Sequence, residues 1–186
     1  MASLDILWPF IRSFEGGFVN DPDDAGGATN MGVTIATWRK QGYDKDGDGD
    51  IDVDDLKKIT EADAKRMMKL NYWNRWKADQ IADQSIANIL VDWVWGSGAY
   101  GIKIPQRLLG VKIDGAVGTE TLGALNAQDP KTFFETLHEE RRKYFERIVQ
   151  TRPTNRKYLK GWLRRLDAIQ YGKLTLNSVP AKVMRF

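Results

Sequence analysis

Two carboxyl side chains, Glu15 and Asp24, stand nine positions apart and are candidates for acid–base chemistry. Glu15 follows an apolar helical pattern and has Phe14 and Phe18 close to it in the chain. A carboxyl group in apolar surroundings stays protonated near neutral pH, because burial disfavours its charged form. We therefore expect Glu15 to be a general acid that protonates a glycosidic oxygen, while the two glycines after it leave room for a bulky substrate.

The polar loop after Glu15 offers partners for such an acid. Asp24 is the candidate ionised carboxylate, since two carboxyl groups in unlike environments are typical of glycoside hydrolysis. Thr29 and Asn30 are suited to position a water molecule or a sugar hydroxyl. Spacing alone favours a second interpretation, in which Glu15 is a solvated helix end and the loop aspartates only form turns.

A separate acidic stretch, residues 44–55, has the spacing of a twelve-residue EF-hand calcium loop. Gly49 occupies the position where that loop turns sharply. The candidate metal ligands are Asp44, Asp46, Asp48, Asp50 (through its backbone carbonyl) and Asp55. Asp55 replaces the usual bidentate glutamate, and this shorter side chain should weaken or reshape the site.

The sequence contains a single loop of this kind, whereas regulatory calcium sensors usually carry paired loops. We therefore expect calcium to be a structural cofactor that fixes the loop. The alternative is a solvated acidic turn without a metal.

Charge is distributed unevenly along the chain. The whole sequence has 28 basic and 25 acidic residues, but outside residues 44–55 it has 27 basic and 18 acidic residues, a net charge of +9. A basic body suits a polyanionic partner such as nucleic acid or an anionic cell wall. The absence of cysteine excludes disulfides and a cysteine nucleophile, and the single histidine makes a His-rich metal site improbable.

Apolar residues recur mainly at helical spacing, which predicts a mainly α-helical protein and disfavours an all-β fold. Ser3 is expected to cap the first helix, and Thr60 with Asp63 forms a capping-box pattern. Pro105 is expected in the first turn of a short helix. Residues 173–186 resemble a loose tail. No apolar stretch approaches the roughly 20 residues of a membrane span.

The segment around Glu15 strongly resembles the glycoside hydrolase family 108 lysozymes, which are bacterial and prophage N-acetylmuramidases. The resemblance is carried by Glu15-Gly16-Gly17-Phe18 and by Asp24, Gly26, Gly27, Thr29, Asn30 and Gly32. It implies a lysozyme-like helical fold with a short irregular or hairpin catalytic loop. It also implies that Glu15 is the catalytic glutamate.

The second half resembles the predicted peptidoglycan-binding region of that family. The matching segments are Asp92-Trp93-Val94-Trp95-Gly96-Ser97-Gly98 and Asp114-Gly115-Ala116-Val117-Gly118-Thr119. We expect a catalytic region over residues 1–90, a helical peptidoglycan-binding region over 91–172 packed on it, and the tail over 173–186.

The resemblance implies a peptidoglycan hydrolase that cleaves the β-1,4 bond between N-acetylmuramic acid and N-acetylglucosamine. Glu15 would donate the proton, and Asp24 or Thr29 would assist at the anomeric carbon. Asn30, Trp76 and Trp95 are the expected substrate-binding residues, because aromatic faces stack on sugar rings. Retention or inversion depends on the separation of the two carboxyl groups.

Two other functions remain open at this point: a lytic transglycosylase acting on the same bond, and a non-catalytic wall-binding module. Peptidoglycan glycan strands are the expected partner, and no RNA-binding or helix-turn-helix signature indicates nucleic acid. We expect a monomer. Residues 1–5 lack a basic region before an apolar one, so we expect cytoplasmic synthesis without a secretory signal and action on the wall, in the periplasm or outside.

Overall fold

A computed structural model describes residues 1–21 and 27–186, and it is mainly helical, as predicted. The N-terminal half contains these helices: α1 Leu4–Phe14, α2 Ile35–Gln41, α3 Val53–Lys57, α4 Glu61–Met68 and α5 Gln84–Ser97. A π-helical turn, Lys69–Trp73, and a 3₁₀ turn, Ala78–Gln80, lie between α4 and α5. The C-terminal half contains α6 Tyr100–Leu109, α7 Thr119–Asn126, α8 Pro130–Thr151, a 3₁₀ turn Pro153–Asn155 and α9 Arg156–Asp167.

Local capping chemistry determines several helix starts, as the sequence predicts. The Ser3 hydroxyl accepts from the Asp5 amide and begins α1. Thr60 and Asp63 form the expected capping box at the start of α4, so two amides without helical partners are satisfied. The Asp129 side chain caps α8, whose first residue is proline.

A short hairpin follows the segment that carries Glu15. Its strands are β1, Thr29–Asn30, and β2, Val33–Thr34, paired antiparallel with Thr29 opposite Thr34. Met31 and Gly32 form the turn, with φ angles of 49° and 78°. Two consecutive positive φ values are typical of the tight turns that match strand twist. The predicted irregular or hairpin loop is therefore a true hairpin over residues 29–34.

Helix α5 lies at the centre of the molecule and packs against α6 and α8. Nearly all of its residues from Ser85 to Val94 are buried. A Cβ atom at Gly101 would lie 2.5 Å from the Val94 amide nitrogen, so the close approach of α6 to α5 requires glycine there. The expected boundary at residue 90 falls inside α5. This helix contributes to one continuous core with both halves.

The sequence-based expectation of a loose tail at 173–186 is wrong. Strands β3, Ile169–Gln170, β4, Lys173–Thr175, and β5, Val183–Arg185, form an antiparallel sheet. This sheet is tied to the rest of the chain: the Gly172 amide donates to the Ser85 hydroxyl, and the Asn177 amide donates to the Ser13 hydroxyl. The strands are too short to produce a visible alternation in the sequence.

Pro105 also departs from its expected place, since it lies inside α6 instead of in a first turn. Proline has no N–H, so the carbonyl of Gly101, four residues earlier, loses its helical partner. The Trp76 indole N–H donates to that carbonyl at 3.2 Å and replaces the missing bond.

Asp63 joins the acidic stretch to α4. Its carboxylate accepts from Lys45 Nζ at 2.6 Å and from the Tyr43 hydroxyl at 3.0 Å, besides capping the helix. Burial acts to raise the pKa of Asp63, but the hydrogen bonds from Lys45, Thr60 and Tyr43 outweigh it and lower the pKa to about 2.

We predict that Asp63→Asn destabilises the protein by about 1–2 kcal/mol at neutral pH, because a cap and a partly buried ion pair are lost. The folded-state pKa lies below the unfolded value of 3.8, so this contribution is present above pH 4 and decreases as the pH falls towards 2. Urea unfolding at pH 7 and pH 3 measures it. Asp5→Asn, which removes an exposed ion pair with Lys65, is the control and should have the smaller effect. If the difference in unfolding free energy between the wild type and Asp63→Asn is the same at pH 7 and pH 3, the prediction is wrong.

Candidate functional site

Glu15 is the residue immediately after α1, where its backbone leaves the helix. Its carbonyl accepts from Arg12 Nη1 at 3.0 Å, which fixes the end of the helix. Its side chain is 21% exposed. Glu15 Oε1 accepts from Trp95 Nε1 at 2.8 Å and from Arg165 Nη1 at 3.2 Å. The carboxyl group is therefore held by two donors from distant parts of the chain while part of it stays open to solvent.

The surroundings of Glu15 differ from the apolar setting that the sequence predicts. The apolar rings are present, but the Arg165 guanidinium lies over the Phe14 ring at 5.1 Å and so places a positive charge beside the carboxyl group. Arg165 is 150 residues from Glu15 in the chain, which is why local sequence gives no sign of it.

The two oxygens of Glu15 have different roles. Oε1 accepts from both Trp95 and Arg165, while Oε2 has no hydrogen-bond partner among residues 1–21 and 27–186. A carboxylic acid carries one proton, and an oxygen that already accepts two hydrogen bonds has little room for it. In the protonated form, the proton therefore belongs on Oε2.

The hairpin turn packs closely against Trp95 and Glu15. A Cβ atom at Gly32 would lie 3.2 Å from Glu15 Oε2 and 2.5 Å from the Trp95 ring. A side chain there would displace the indole that holds Glu15, and the positive φ of Gly32 disfavours one as well. Gly32 therefore keeps both the indole and the open oxygen in place.

A buried charge network stands behind Arg165. Asp92 of α5 is fully buried and receives Arg165 Nη2 at 2.7 Å and Nε at 3.0 Å on Oδ1. Its Oδ2 receives Arg141 Nη2 of α8 at 2.8 Å. Burial alone would raise the pKa of Asp92, but the two guanidinium groups outweigh it and hold the pKa below its ordinary value. Asp92 is therefore anionic and fixes Arg165, which contacts Glu15 only through its remaining nitrogen.

Tyr72 forms another wall of the site. Its ring packs edge-on against Trp95, with ring centres 4.6 Å apart. Burial raises the pKa of Tyr72; Arg75 opposes this shift and Glu15 adds to it. Tyr72 lies in the π-helical turn Lys69–Trp73, which directly follows α4. Such turns are frequent at functional sites, and no simple periodicity reveals this one.

Of the other two predicted catalytic residues, only Thr29 lies within the described residues, in strand β1 of the hairpin. Asp24 lies outside the described residues. Thr29 pairs through its backbone with Val19, with both N···O distances at 2.8 Å. Asn30, expected to contact sugar, is only 5% exposed and donates Nδ2 to the Leu56 carbonyl at 2.8 Å. Its amide group connects the hairpin to α3, so a direct substrate contact would require this bond to break.

The two predicted aromatic substrate residues have different places. Trp95 lines the site and holds Glu15, as described above. Trp76 has no exposed surface, because its ring is in the core and its N–H satisfies the carbonyl freed by Pro105. It offers no face to a sugar, and this corrects the expectation for Trp76. Arg165, Asp92 and Tyr72 are the site residues that sequence reasoning missed.

The acidic stretch brings carboxylates together in two groups of three, each with oxygens within 4.8 Å of one another. One group is Asp44, Asp46 and Asp48; the other is Asp50, Asp52 and Asp55. Asp46 Oδ1 is buried and has no hydrogen-bond partner. Repulsion from Asp48 raises the pKa of Asp50. An unpartnered buried oxygen among crowded carboxylates fits an oxygen-seeking cation such as calcium.

Asp55 differs from an ordinary ligand at the end of such a loop. It is fully buried, and its carboxylate accepts from the amides of Lys45 at 2.5 Å and Asp52 at 2.8 Å. Asp55 thus already closes the loop through backbone hydrogen bonds, and a cation would share its oxygens with them.

Two sequence profiles match the chain: Glycosyl hydrolase 108 over residues 8–98, and Predicted Peptidoglycan domain over residues 100–167. The matches meet at the turn between α5 and α6. Among curated proteins there is no significant match. The structure of SagA from Brucella abortus is similar, with a TM-score of 0.68 and 30% sequence identity over 87% of each chain. The chain therefore belongs to the glycosyl hydrolase 108 family, as a peptidoglycan hydrolase with a predicted peptidoglycan domain in its C-terminal half.

Proposed function

We propose that this peptidoglycan hydrolase is an N-acetylmuramidase, which cleaves the β-1,4 bond between N-acetylmuramic acid and N-acetylglucosamine with Glu15 as general acid. The observation that carries the proposal is the unequal use of the Glu15 oxygens. Trp95 and Arg165 fix Oε1, and Oε2 is left without a partner among the described residues, close to Gly32 of the hairpin turn.

In this mechanism, Glu15 Oε2 gives its proton to the bridging oxygen as the bond to the anomeric carbon breaks. The electron pair of that bond leaves with the bridging oxygen. The carboxylate that forms is stabilised by hydrogen bonds that Trp95 and Arg165 already make to Oε1, so little reorganisation is needed. Arg165 also donates two hydrogen bonds to Asp92, which hold its guanidinium beside Glu15.

The anomeric carbon must then receive a water oxygen, directly or after a covalent step. Asp24 is the proposed carboxylate for this role, and Thr29 the alternative. Thr29 is held in β1 by its backbone bonds to Val19, so its position relative to the hairpin turn is fixed.

We further propose that calcium binds the acidic stretch and has a structural role. The unpartnered Asp46 Oδ1 and the crowding of Asp44, Asp46 and Asp48 support this proposal. A divalent cation there would relieve the mutual repulsion of the carboxylates. The ion pair between Lys45 and Asp63 connects this stretch to α4.

We predict that Glu15→Gln reduces hydrolysis of purified sacculi by at least about a hundredfold, since general acid catalysis typically contributes that much or more. Turbidity loss measures the rate, and thermal unfolding checks that the variant folds. Glu120→Gln, an exposed change on α7, is the matched control and should retain activity. Unchanged lysis by Glu15→Gln would favour the wall-binding module.

The fragments released by the wild-type enzyme identify the reaction. Hydrolysis leaves reducing muramic acid ends, which mass spectrometry distinguishes from the anhydro-sugars of a lytic transglycosylase. Anhydro ends would overturn the muramidase proposal while keeping Glu15 as the acid.

We predict that Arg165→Lys lowers kcat about tenfold with a smaller effect on KM, because lysine cannot hold Asp92 and Glu15 with separate nitrogens. The pH profile should shift with it, which a purely structural role for Arg165 would not cause. Arg142→Lys, at an ion pair of Arg142 with Asp167, is the control. Equal loss in both variants argues against a positioning role.

We predict that millimolar calcium raises the melting temperature of the wild type and that Asp44→Ala with Asp48→Ala abolishes this gain. Calorimetry measures binding directly. Asp54→Asn removes an exposed acid that belongs to neither carboxylate group and should keep the response. Absence of calcium binding at millimolar concentration contradicts the proposal.

A further inference from the structure

A groove of about 570 Å³ runs between α6, α8 and the start of α9, apart from the Glu15 site. We call it the α6–α8 groove. The residues that define it are Tyr100, Tyr144, Trp162, Arg107, Arg147 and Arg152. All six lie within residues 100–167, which match the predicted peptidoglycan domain.

Aromatic rings form the floor and one side of the α6–α8 groove. Tyr100 is 59% exposed and packs on Tyr144, with ring centres 5.7 Å apart. Trp162 packs on Phe145 at 5.4 Å, so its position is fixed by the core. Exposed rings held by packing present an apolar surface that is ready for a ligand, with little entropy left to lose.

The charges of the α6–α8 groove are incompletely balanced. Arg107 pairs with Glu140 at 3.2 Å. Arg147 and Arg152 have exposed side chains and form no ion pair within residues 1–21 and 27–186. Two unpaired guanidinium groups beside aromatic rings are complementary to a ligand that carries carboxylates on a partly apolar chain.

We propose that the α6–α8 groove binds the anionic stem peptide that branches from the muramic acid of peptidoglycan. This inference rests on the proposed function and adds the part of the substrate that the C-terminal half recognises. Stem peptides alternate alanine methyl groups with free carboxylates, which suits rings and arginines together. An uncharged glycan strand would leave Arg147 and Arg152 without counter-charges.

The position of the groove suits a substrate that is bound at Glu15. Trp162 of the groove and Arg165 of the Glu15 site lie three residues apart on α9, a rise of about 4.5 Å along the helix. An extended stem of four or five residues spans up to roughly 17 Å. Helix α9 therefore contributes one residue to the groove and another to the Glu15 site.

The test compares intact sacculi with glycan strands from which an amidase has removed the stems, so that each muramic acid keeps one lactyl carboxylate but no peptide. We expect the wild type to have a lower KM on stem-bearing material, and Arg147→Glu with Arg152→Glu to raise that KM about tenfold. The matched control is Arg39→Glu with Lys40→Glu, the same charge change on the exposed end of α2. It should keep the wild-type preference. Equal KM values for the groove variant and the wild type overturn the inference.

Calorimetry with a synthetic stem peptide separates this inference from the proposed function, because it needs no catalysis. The wild type should bind the peptide, and the Arg147→Glu, Arg152→Glu variant should lose most of the binding. Absence of binding by the wild type overturns the inference even if Glu15→Gln is inactive. Tighter binding of polyglycerol phosphate or of a single-stranded oligonucleotide also overturns it, since the groove would then be a phosphate site.

Discussion

The structure depends on one buried carboxylate. Asp92 lies at zero exposure in the central helix, and each of its oxygens is held by an arginine from a different helix of the C-terminal half. Removing one partner from such a group is expensive, because an unpaired charge would be left in the core. Asp92 therefore fixes the relative placement of α5, α8 and α9, and Arg165 extends that order to Glu15. Asp92 lies in the region that matches Glycosyl hydrolase 108, and its two arginines lie in the region that matches the predicted peptidoglycan domain, so one charge network joins the two regions.

The surroundings of Glu15 in the structure differ from the apolar pocket that the sequence predicts. A glutamate in an apolar pocket keeps its proton through desolvation alone, whereas Glu15 has a guanidinium at 3.2 Å. Because Asp92 accepts two of the three hydrogen bonds that the Arg165 side chain donates, Arg165 contacts only one oxygen of Glu15. The Trp95 indole donates to that same oxygen, and the other oxygen of Glu15 lies close to Gly32.

Sequence reasoning predicted what depends on neighbouring residues. The caps at Ser3 and Thr60, the hairpin and the position of Glu15 at a helix end all follow from local chemistry. The partners of Glu15 could not be predicted this way, since they are separated from it by 80 and 150 positions. Trp76 was expected at the substrate site, but it is in the core, where its N–H donates to the Gly101 carbonyl that Pro105 leaves without a helical partner. The C-terminal strands are too short to show alternation.

The order of the site residues along the chain has a consequence for synthesis. Glu15 leaves the ribosome early, while the arginine that holds it follows 150 residues later. The segment between β4 and β5 then binds to α1, where the Asn177 amide donates to the Ser13 hydroxyl. Contacts of such long range form late in folding. A nascent chain that stops before α9, or a fragment cut there, thus has Glu15 without Arg165.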